Sequence, residues 1–508
     1  MSITNIIRPL FAPRYRKIET FATEAEALQM KVLRRLLHEA RDTEWGRTHD
    51  FGNTNTYEQF AQSEVNDYEA LKGAIDRMRH GERDVLWPGQ VRWYAKSSGT
   101  TNDKSKFIPV SSQALKDTHY AGGQDSVTCY LHHHPDSRLF DGRALILGGS
   151  HAPNYNVHSS LVGDLSAILI ENINPLVNFI RVPSKKTALL SDFEQKRERI
   201  AREAMNRHVT SISGVPSWML SVLTRVLEIS GCERIDQVWP DLEVFFHGGV
   251  AFTPYREQYR RLIQSPRMHY LETYNASEGF FGVQSDPTDP AMLLMLDYGV
   301  FYEFIPMDEF ESEHPSVVPL WGVQPGRNYA MVISTSSGLW RYLIGDTVRF
   351  TSTAPYKFFI TGRTKFFINA FGEELIVDNA EKGLQAACRA TGAEVLEYTA
   401  APIFMDQEGH CRHQWLIEFS RQPDDLQHFA TELDTALQAI NSDYEAKRHK
   451  DITLQQLELI SARPGLFNDW MRQRGKLGGQ NKVPRLSNSR DNIEQLLKMN
   501  SREGKERK

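Results

Sequence analysis

The chain has 508 residues, more than one hydrophobic core usually supports, so two or more domains are expected. Its hydrophobic fraction of 40% and charged fraction of 24% are those of an ordinary soluble globular protein. The 59 Lys and Arg against 64 Asp and Glu leave a net charge of −5, which offers no electrostatic footprint for nucleic acid or an anionic membrane. The start, Met1-Ser-Ile-Thr-Asn-Ile-Ile-Arg8, lacks the apolar core and cleavage site of a signal peptide. No apolar run approaches the ~20 residues of a membrane-spanning helix. Cys129, Cys232, Cys388 and Cys411 are scattered without metal-like pairing and are expected as reduced thiols in a cytoplasmic protein.

In chain order, residues 21 to 41 place Phe21, Ala25, Leu28, Val32, Leu36 and Leu37 at a helical period. Val91 to Ala95 has the aromatic and β-branched character of a strand. It empties into Ser97-Ser-Gly-Thr-Thr-Asn-Asp-Lys-Ser-Lys-Phe-Ile-Pro109. Ser97, Ser98, Gly99, Thr100 and Thr101 bring hydroxyls and exposed backbone N–H groups, and Lys104 or Lys106 brings charge, which suits a polyphosphate. The spacing is not that of a Walker A loop, and a polar surface loop would have the same composition. Ser111 and Ser112 then read as the capping start of a helix.

Between about 140 and 360, apolar strands (143–147, 242–246, 329–333) alternate with helices (217–227, 255–263), the pattern of an α/β architecture. His247-Gly-Gly-Val250 follows one such strand. Gly248 and Gly249 let backbone approach a flat ligand, or simply make a strand-end turn. In Tyr270-Leu-Glu-Thr-Tyr-Asn-Ala-Ser-Glu-Gly279, Tyr274 is placed to stack on a base, Ser277 to bond phosphate and Glu278 to hold Mg²⁺. A solvated acidic turn would read the same way. Asp346 ends an apolar segment after Gly345 and suits the two hydroxyls of a ribose, or an ordinary Gly-Asp turn.

A boundary is expected at Gly362-Arg363, dividing a large domain (1–362) from a smaller α+β domain (363–508) with helices at 380–391 and 426–440 and a strand at 414–419. Its Gly-rich basic run Gly475-Lys-Leu-Gly-Gly-Gln-Asn-Lys-Val-Pro-Arg485 suits a mobile element that delivers a cation, or a flexible surface loop. The run His132-His-His134 is a poor metal site because adjacent rings do not converge. No Gly-x-Ser-x-Gly elbow occurs to support a hydrolase triad.

Taken in order, these loops resemble the auxin-responsive acyl acid amido synthetases, the Gretchen Hagen family of the adenylate-forming enzymes. The run from Ser97 to Pro109 resembles the family's first nucleotide motif. Tyr274-Asn-Ala-Ser-Glu278 resembles its Tyr-Gly-Ser-Ser-Glu motif, and Tyr342-Leu-Ile-Gly-Asp346 its Tyr-Arg-x-x-Gly-Asp motif. The run from Gly362 to Leu375 looks like the hinge of bacterial members. Asn275 and Ala276 in place of Gly-Ser, and Asn102-Asp103 in place of Ser-Gly, look like bacterial-type variation.

The resemblance implies a large adenylate-forming domain, a small mobile C-terminal domain, ATP with Mg²⁺, and a two-step reaction. A carboxylic acid is adenylated with loss of pyrophosphate, and an amino acid amine then displaces AMP. Under it, residues 97 to 106 hold phosphates, Glu278 fixes Mg²⁺, Tyr274 with Gly248 and Gly249 clamps adenine, and Asp346 holds ribose. Asn275, Ala276 and Ser277 complete the nucleotide contacts. Lys482 is the cation brought in by the small domain, Lys382 a second phosphate contact, and Arg363 the pivot. The acyl pocket is expected between Leu115–Leu131 and the turn before Trp218, with Tyr120, Trp218 and Met219 available as walls. Small carboxylic acid and amino acid substrates are the expected partners, with no nucleic acid, no membrane and no obligate protein partner. An acyl-CoA ligase and a non-catalytic nucleotide-binding protein are the alternatives.

Overall fold

The structure, a computed structural model, describes residues 2–98, 105–249, 252, 255–310, 312–364, 367–373, 375–404, 411–449, 454–474 and 484–506. Two compact units emerge. The larger spans Met1–Ser97 and Lys106–Thr364, and the smaller contains the chain from Lys365 onward.

The first strands are β1 (Trp93–Ser98), β2 (Ser105–Val110), β3 (Arg143–Ile146), β4 (Leu161–Gly163) and β5 (Arg181–Val182). Next come β6 (Val209–Gly214), β7 (Val244–His247), β8 (His269–Ala276), β9 (Gly279–Val283) and β10 (Met292–Leu294). The larger unit ends with β11 (Val300–Pro306), β12 (Val318–Pro319), β13 (Asn328–Thr335), β14 (Tyr342–Thr353) and β15 (Tyr356–Arg363). Twelve of these form one sheet in the order β12-β11-β13-β14-β15-β10-β9-β8-β7-β6-β3-β5.

That sheet has two halves of different chemistry. From β5 through β3, β6 and β7 to β8 every pairing is parallel, with helices such as Pro216–Ser230 and Arg256–Leu262 as crossovers. The apolar runs expected at 143–147 and 242–246 are β3 and β7; β7 is buried along most of its length as a central parallel strand requires, whereas in β3 only Leu145 is fully buried. Beyond β8 the pairing turns antiparallel, starting with the β8–β9 hairpin. Thus β8 is the seam, parallel to one neighbour and antiparallel to the other.

The entry into β14 is held firmly. Arg341 takes the left-handed conformation at φ +42, uncommon outside glycine. Its guanidinium donates to both carboxylate oxygens of Glu303, at 2.9 and 2.8 Å, and to the carbonyls of Ala61 and Ser63. The two side chains are 4% and 1% exposed. Burial pushes the Glu303 carboxyl up, and the Arg341 charge and the Tyr57 hydroxyl oppose that. The Asn66 N–H donates to the Arg341 carbonyl at 2.8 Å and fixes the backbone from the other side.

The smaller unit carries a hairpin of β16 (Phe367–Ile368) and β17 (Leu375–Ile376). It also holds a sheet of β18 (Glu394–Ile403), β19 (Arg412–Arg421) and β20 (Glu458–Ser461). Helices Val377–Thr391 and Leu426–Ile440 accompany them, the second with the bounds its period predicts. Within this unit His413 and Glu373 form a fully buried pair at 2.8 Å. All four cysteines are free, and no helix among the described residues is long and apolar enough to cross a membrane.

Replacing Arg341 by Leu removes the cation from a buried carboxylate, which costs about 3–5 kcal/mol. A urea-unfolding midpoint of Arg341→Leu close to wild type would contradict this account of the β14 entry.

Candidate active site

The seam strand delivers the second motif. Tyr274, Asn275 and Ala276 end β8, and Ser277 and Glu278 form the tight turn into β9. Asp346 lies inside β14, opposite Arg363 at the end of β15, so the Gly-Asp turn alternative does not apply. Gly345 has φ +95, a conformation that favours glycine and that re-aims the strand directly before Asp346.

Four strand spacings separate β8 from β14 in the sheet order, about 19 Å if the sheet were flat. Yet the Tyr274 hydroxyl donates to Asp346 Oδ2. The antiparallel half is therefore curled until its fourth strand meets the seam. On its other oxygen, Asp346 Oδ1 lies 2.6 Å from Arg363 Nε. Burial beside the Asp346 carboxylate raises the Tyr274 hydroxyl far above its ordinary value, so it remains a donor.

Glu278 is half-buried at the turn. Desolvation raises its carboxyl to about 7; the charges of Lys106 and Arg363 oppose that rise and Asp346 reinforces it. A solvated acidic turn does not behave this way. Lys106, on β2, sets its Nζ 5.7 Å from the centre of the Tyr68 ring. The Tyr68 hydroxyl in turn accepts the Phe107 N–H at 2.9 Å.

The expected residues divide into groups. Tyr274, Asp346 and Arg363 are joined directly, with Glu278 and Lys106 within electrostatic reach. Asn275 binds elsewhere, its Oδ1 meeting His119 Nδ1 at 3.2 Å. The Tyr274 ring is 6% exposed and packs edge-on against Phe281, 4.9 Å between centroids, so the ring belongs to the core and the hydroxyl is its hydrogen-bonding end. Gly248 serves the scaffold: a Cβ there would stand 2.3 Å from the Thr273 carbonyl oxygen. Gly249 is exposed at φ +84.

Ser97 is half-buried at the end of β1, whereas Gly99, Thr100, Thr101, Lys104 and Lys482 lie outside the described residues, as does the Ser98 side chain. Lys382 is exposed on helix Val377–Thr391 of the smaller unit. Of the expected pocket walls, Met219 is fully buried in the core and the Tyr120 hydroxyl donates to the Leu169 carbonyl at 2.8 Å. The Trp218 ring lies 5.4 Å from Lys196 Nζ, a buried amine whose desolvation lowers it to about 8. In the His132–His134 run, His132 stacks on Tyr15 and His134 on Tyr130. Sequence reasoning missed His119 and the Arg341–Glu303 clamp; only the Asn275 departure pointed toward the first, and no local pattern toward the second.

The fold is that of the adenylate-forming ligases. It superposes on an acyl acid amido synthetase solved with 2,4-DB, at TM-score 0.61 and 18% identity over 96% of this chain and 95% of that one. It also superposes on a 2-hydroxyisobutyryl-CoA ligase solved with its acyl-AMP and CoA, at TM-score 0.57 and 13% identity over 94% and 92%.

The chain belongs to the GH3 family: the family's N-terminal domain matches residues 14–268, its central domain 293–363 and its C-terminal domain 378–491. Relatives include the indole-3-acetic acid-amido synthetase GH3.8 of Oryza sativa subsp. indica, 24% identical over 93% of this chain and 90% of the relative. Another is the indole-3-acetic acid-amido synthetase GH3.3 of Arabidopsis thaliana, 23% identical over 92% and 91%.

Gly248→Ala forces the Thr273 backbone away and lowers the melting temperature to the same extent with and without ATP. A loss of ATP affinity at unchanged melting temperature would make Gly248 a ligand contact instead.

Proposed function

We propose that this protein is an ATP-dependent acyl acid amido synthetase. The observation that carries the reading is the Asp346 carboxylate, held between Tyr274 and Arg363 with Glu278 beside it. Tyr274 donates to one Asp346 oxygen and Arg363 lies on the other, and an acceptor-only carboxylate held in this way is the group that two vicinal ribose hydroxyls need. Fixed on both sides, it needs no reordering when the nucleotide arrives.

Mg²⁺ suits the residues present. It binds through one or two carboxylates and completes its shell with phosphate oxygens and water, so one carboxylate suffices. Glu278, desolvated and poised near neutrality, is that ligand. When bound, the ion offsets charge on the departing pyrophosphate. Lys106 adds a fixed positive charge on the same side, while residues 97–101 and Ser277 supply hydroxyls and N–H groups to the phosphates.

In the first step an oxygen of the substrate carboxylate attacks the α-phosphorus, the bond to the bridging oxygen breaks, and pyrophosphate leaves. The acyl carbon now carries AMP, a far better leaving group than oxide. In the second step the amine nitrogen attacks that carbon, the bond to the AMP oxygen breaks, and the nitrogen releases its proton. From the smaller unit, Lys482 supplies a cation to the first step and Lys382 a phosphate contact, with the chain near Arg363 as the pivot between steps. The GH3 membership supports an amino acid as the acceptor. A cytoplasmic setting, where ATP and free thiols coexist, suits this reading.

Two predictions follow from the geometry. Asp346→Asn removes charge from the ribose contacts and raises the ATP KM about tenfold to a hundredfold, the worth of a charge-assisted hydrogen bond. An unchanged ATP KM would remove the ribose assignment. Because Glu278 must be anionic to hold a cation, carboxylate-dependent ATP–pyrophosphate exchange at limiting Mg²⁺ rises with pH through about 7. Glu278→Gln abolishes that exchange. A flat profile between pH values well below and above that midpoint would remove the metal assignment.

A further inference from the structure

The helix that follows β2 is not continuous α-helix. It starts at Ser112–Ala114, widens into a π-helical stretch at Leu115–Tyr120, and resumes as α-helix over Ala121–His133. Such insertions cost regular hydrogen bonding and occur disproportionately at functional sites. Here the stretch is pinned on both sides of one residue. The Thr118 hydroxyl donates to the Tyr298 carbonyl at 2.5 Å, and the Tyr120 hydroxyl donates to the Leu169 carbonyl. Between them His119, 4% exposed, turns its Nδ1 onto Asn275 Oδ1 at 3.2 Å.

Asn275 stands where the resembled motif has glycine, which has no side chain to offer. The His119–Asn275 bond is therefore a feature of this chain. It also fixes the state of the ring. The amide oxygen only accepts, so Nδ1 carries the proton and Nε2 is left as a lone-pair acceptor. Desolvation lowers the imidazole to about 4, so the ring is neutral at physiological pH. A ring held that far below an ammonium is a poor base for the incoming amine. What remains is recognition by a neutral acceptor at the carboxyl end of the seam strand, one residue from Tyr274.

We propose that His119 Nε2 is a specificity-determining acceptor that selects acyl acids carrying a hydroxyl or N–H donor on the acyl part. This rests on the amido synthetase reading for the presence of an acyl acid. A buried acceptor left without a donor carries an unrecovered desolvation cost, so the site discriminates against the methylated form of the same acid. The Asn275 amide acts through His119, holding its tautomer and orientation; it is a positioning residue.

The test uses the full chain and three matched pairs: indole-acetate and its N-methyl derivative, para-hydroxyphenylacetate and its methyl ether, and salicylate and ortho-methoxybenzoate. Affinity is measured by calorimetry and ATP–pyrophosphate exchange is measured in parallel. In at least one pair wild type prefers the donor-bearing acid by about tenfold or more, the scale of one hydrogen bond. His119→Phe brings that ratio to about one, and His119→Gln, which retains an acceptor, gives an intermediate ratio. Asn275→Gly lowers the ratio without touching substrate, and it keeps the proposal testable should His119→Phe fail to fold. A ratio unchanged in His119→Phe, no preference in wild type, or no binding of any pair overturns the proposal. Selective binding without exchange would instead sink the adenylation reading and leave this one standing.

Discussion

Everything at the candidate site depends on one hydrogen bond, from the Tyr274 hydroxyl to Asp346. It joins strands that a flat sheet would hold about 19 Å apart, so it is possible only because the antiparallel half curls back on the parallel half. The curl is built from several local commitments. β8 changes partner type at the seam, Gly345 re-aims β14, and the Arg341–Glu303 clamp holds the entry to that strand. Together they bring the Asp346 and Glu278 carboxylates within reach of the Arg363 and Lys106 charges.

Electrostatically the site is a balance of desolvation against local charge. Glu278 is the sensitive member, because burial raises it into the neutral range while Lys106 and Arg363 pull it back. A carboxyl held there resists ionising unless neighbouring positive charge offsets the cost of burying its own. Tyr274 shows the converse: a phenol beside a carboxylate is driven so far up that it remains a donor. The Arg341–Glu303 pair obeys the same rules with a different outcome. Both groups are sealed from water, the geometry is bidentate, and the pair holds backbone.

Much of this was legible in the sequence because the motifs are local. Asp346 after Gly345 and Glu278 after Ser277 each stand out within a few residues, and the structure brings the two carboxylates within electrostatic reach of each other. Apolar runs predicted β3, β7 and β13, and the helical periods predicted Phe21–Ala40 and Leu426–Ile440. What the sequence hides is anything built from distant partners. Tyr274 reads locally as a ring available to a base; only the curl shows that its hydroxyl is committed to a residue 72 positions away. Glu303 and Arg341 lie 38 positions apart with no local pattern that links them, and packing alone brings them together. The Gly248-Gly249 pair reads as ligand approach, yet Gly248 is demanded by the neighbouring strand's carbonyl. His119 carries no signal of its own, since a lone histidine in a helix is ordinarily core.

The most direct test of the central claim is AMP release from Mg-ATP and a panel of aryl, indole-type and fatty carboxylates. Each acid is measured with no acceptor, with a mixed amino-acid pool, or with coenzyme A. The amido synthetase account predicts AMP release that requires a carboxylate and rises with amino acids, with the amide found by mass spectrometry. Stimulation by coenzyme A alone would contradict it and make the protein an acyl-CoA ligase. Silence across the panel, with ATP still bound, would leave a nucleotide-binding protein without this chemistry.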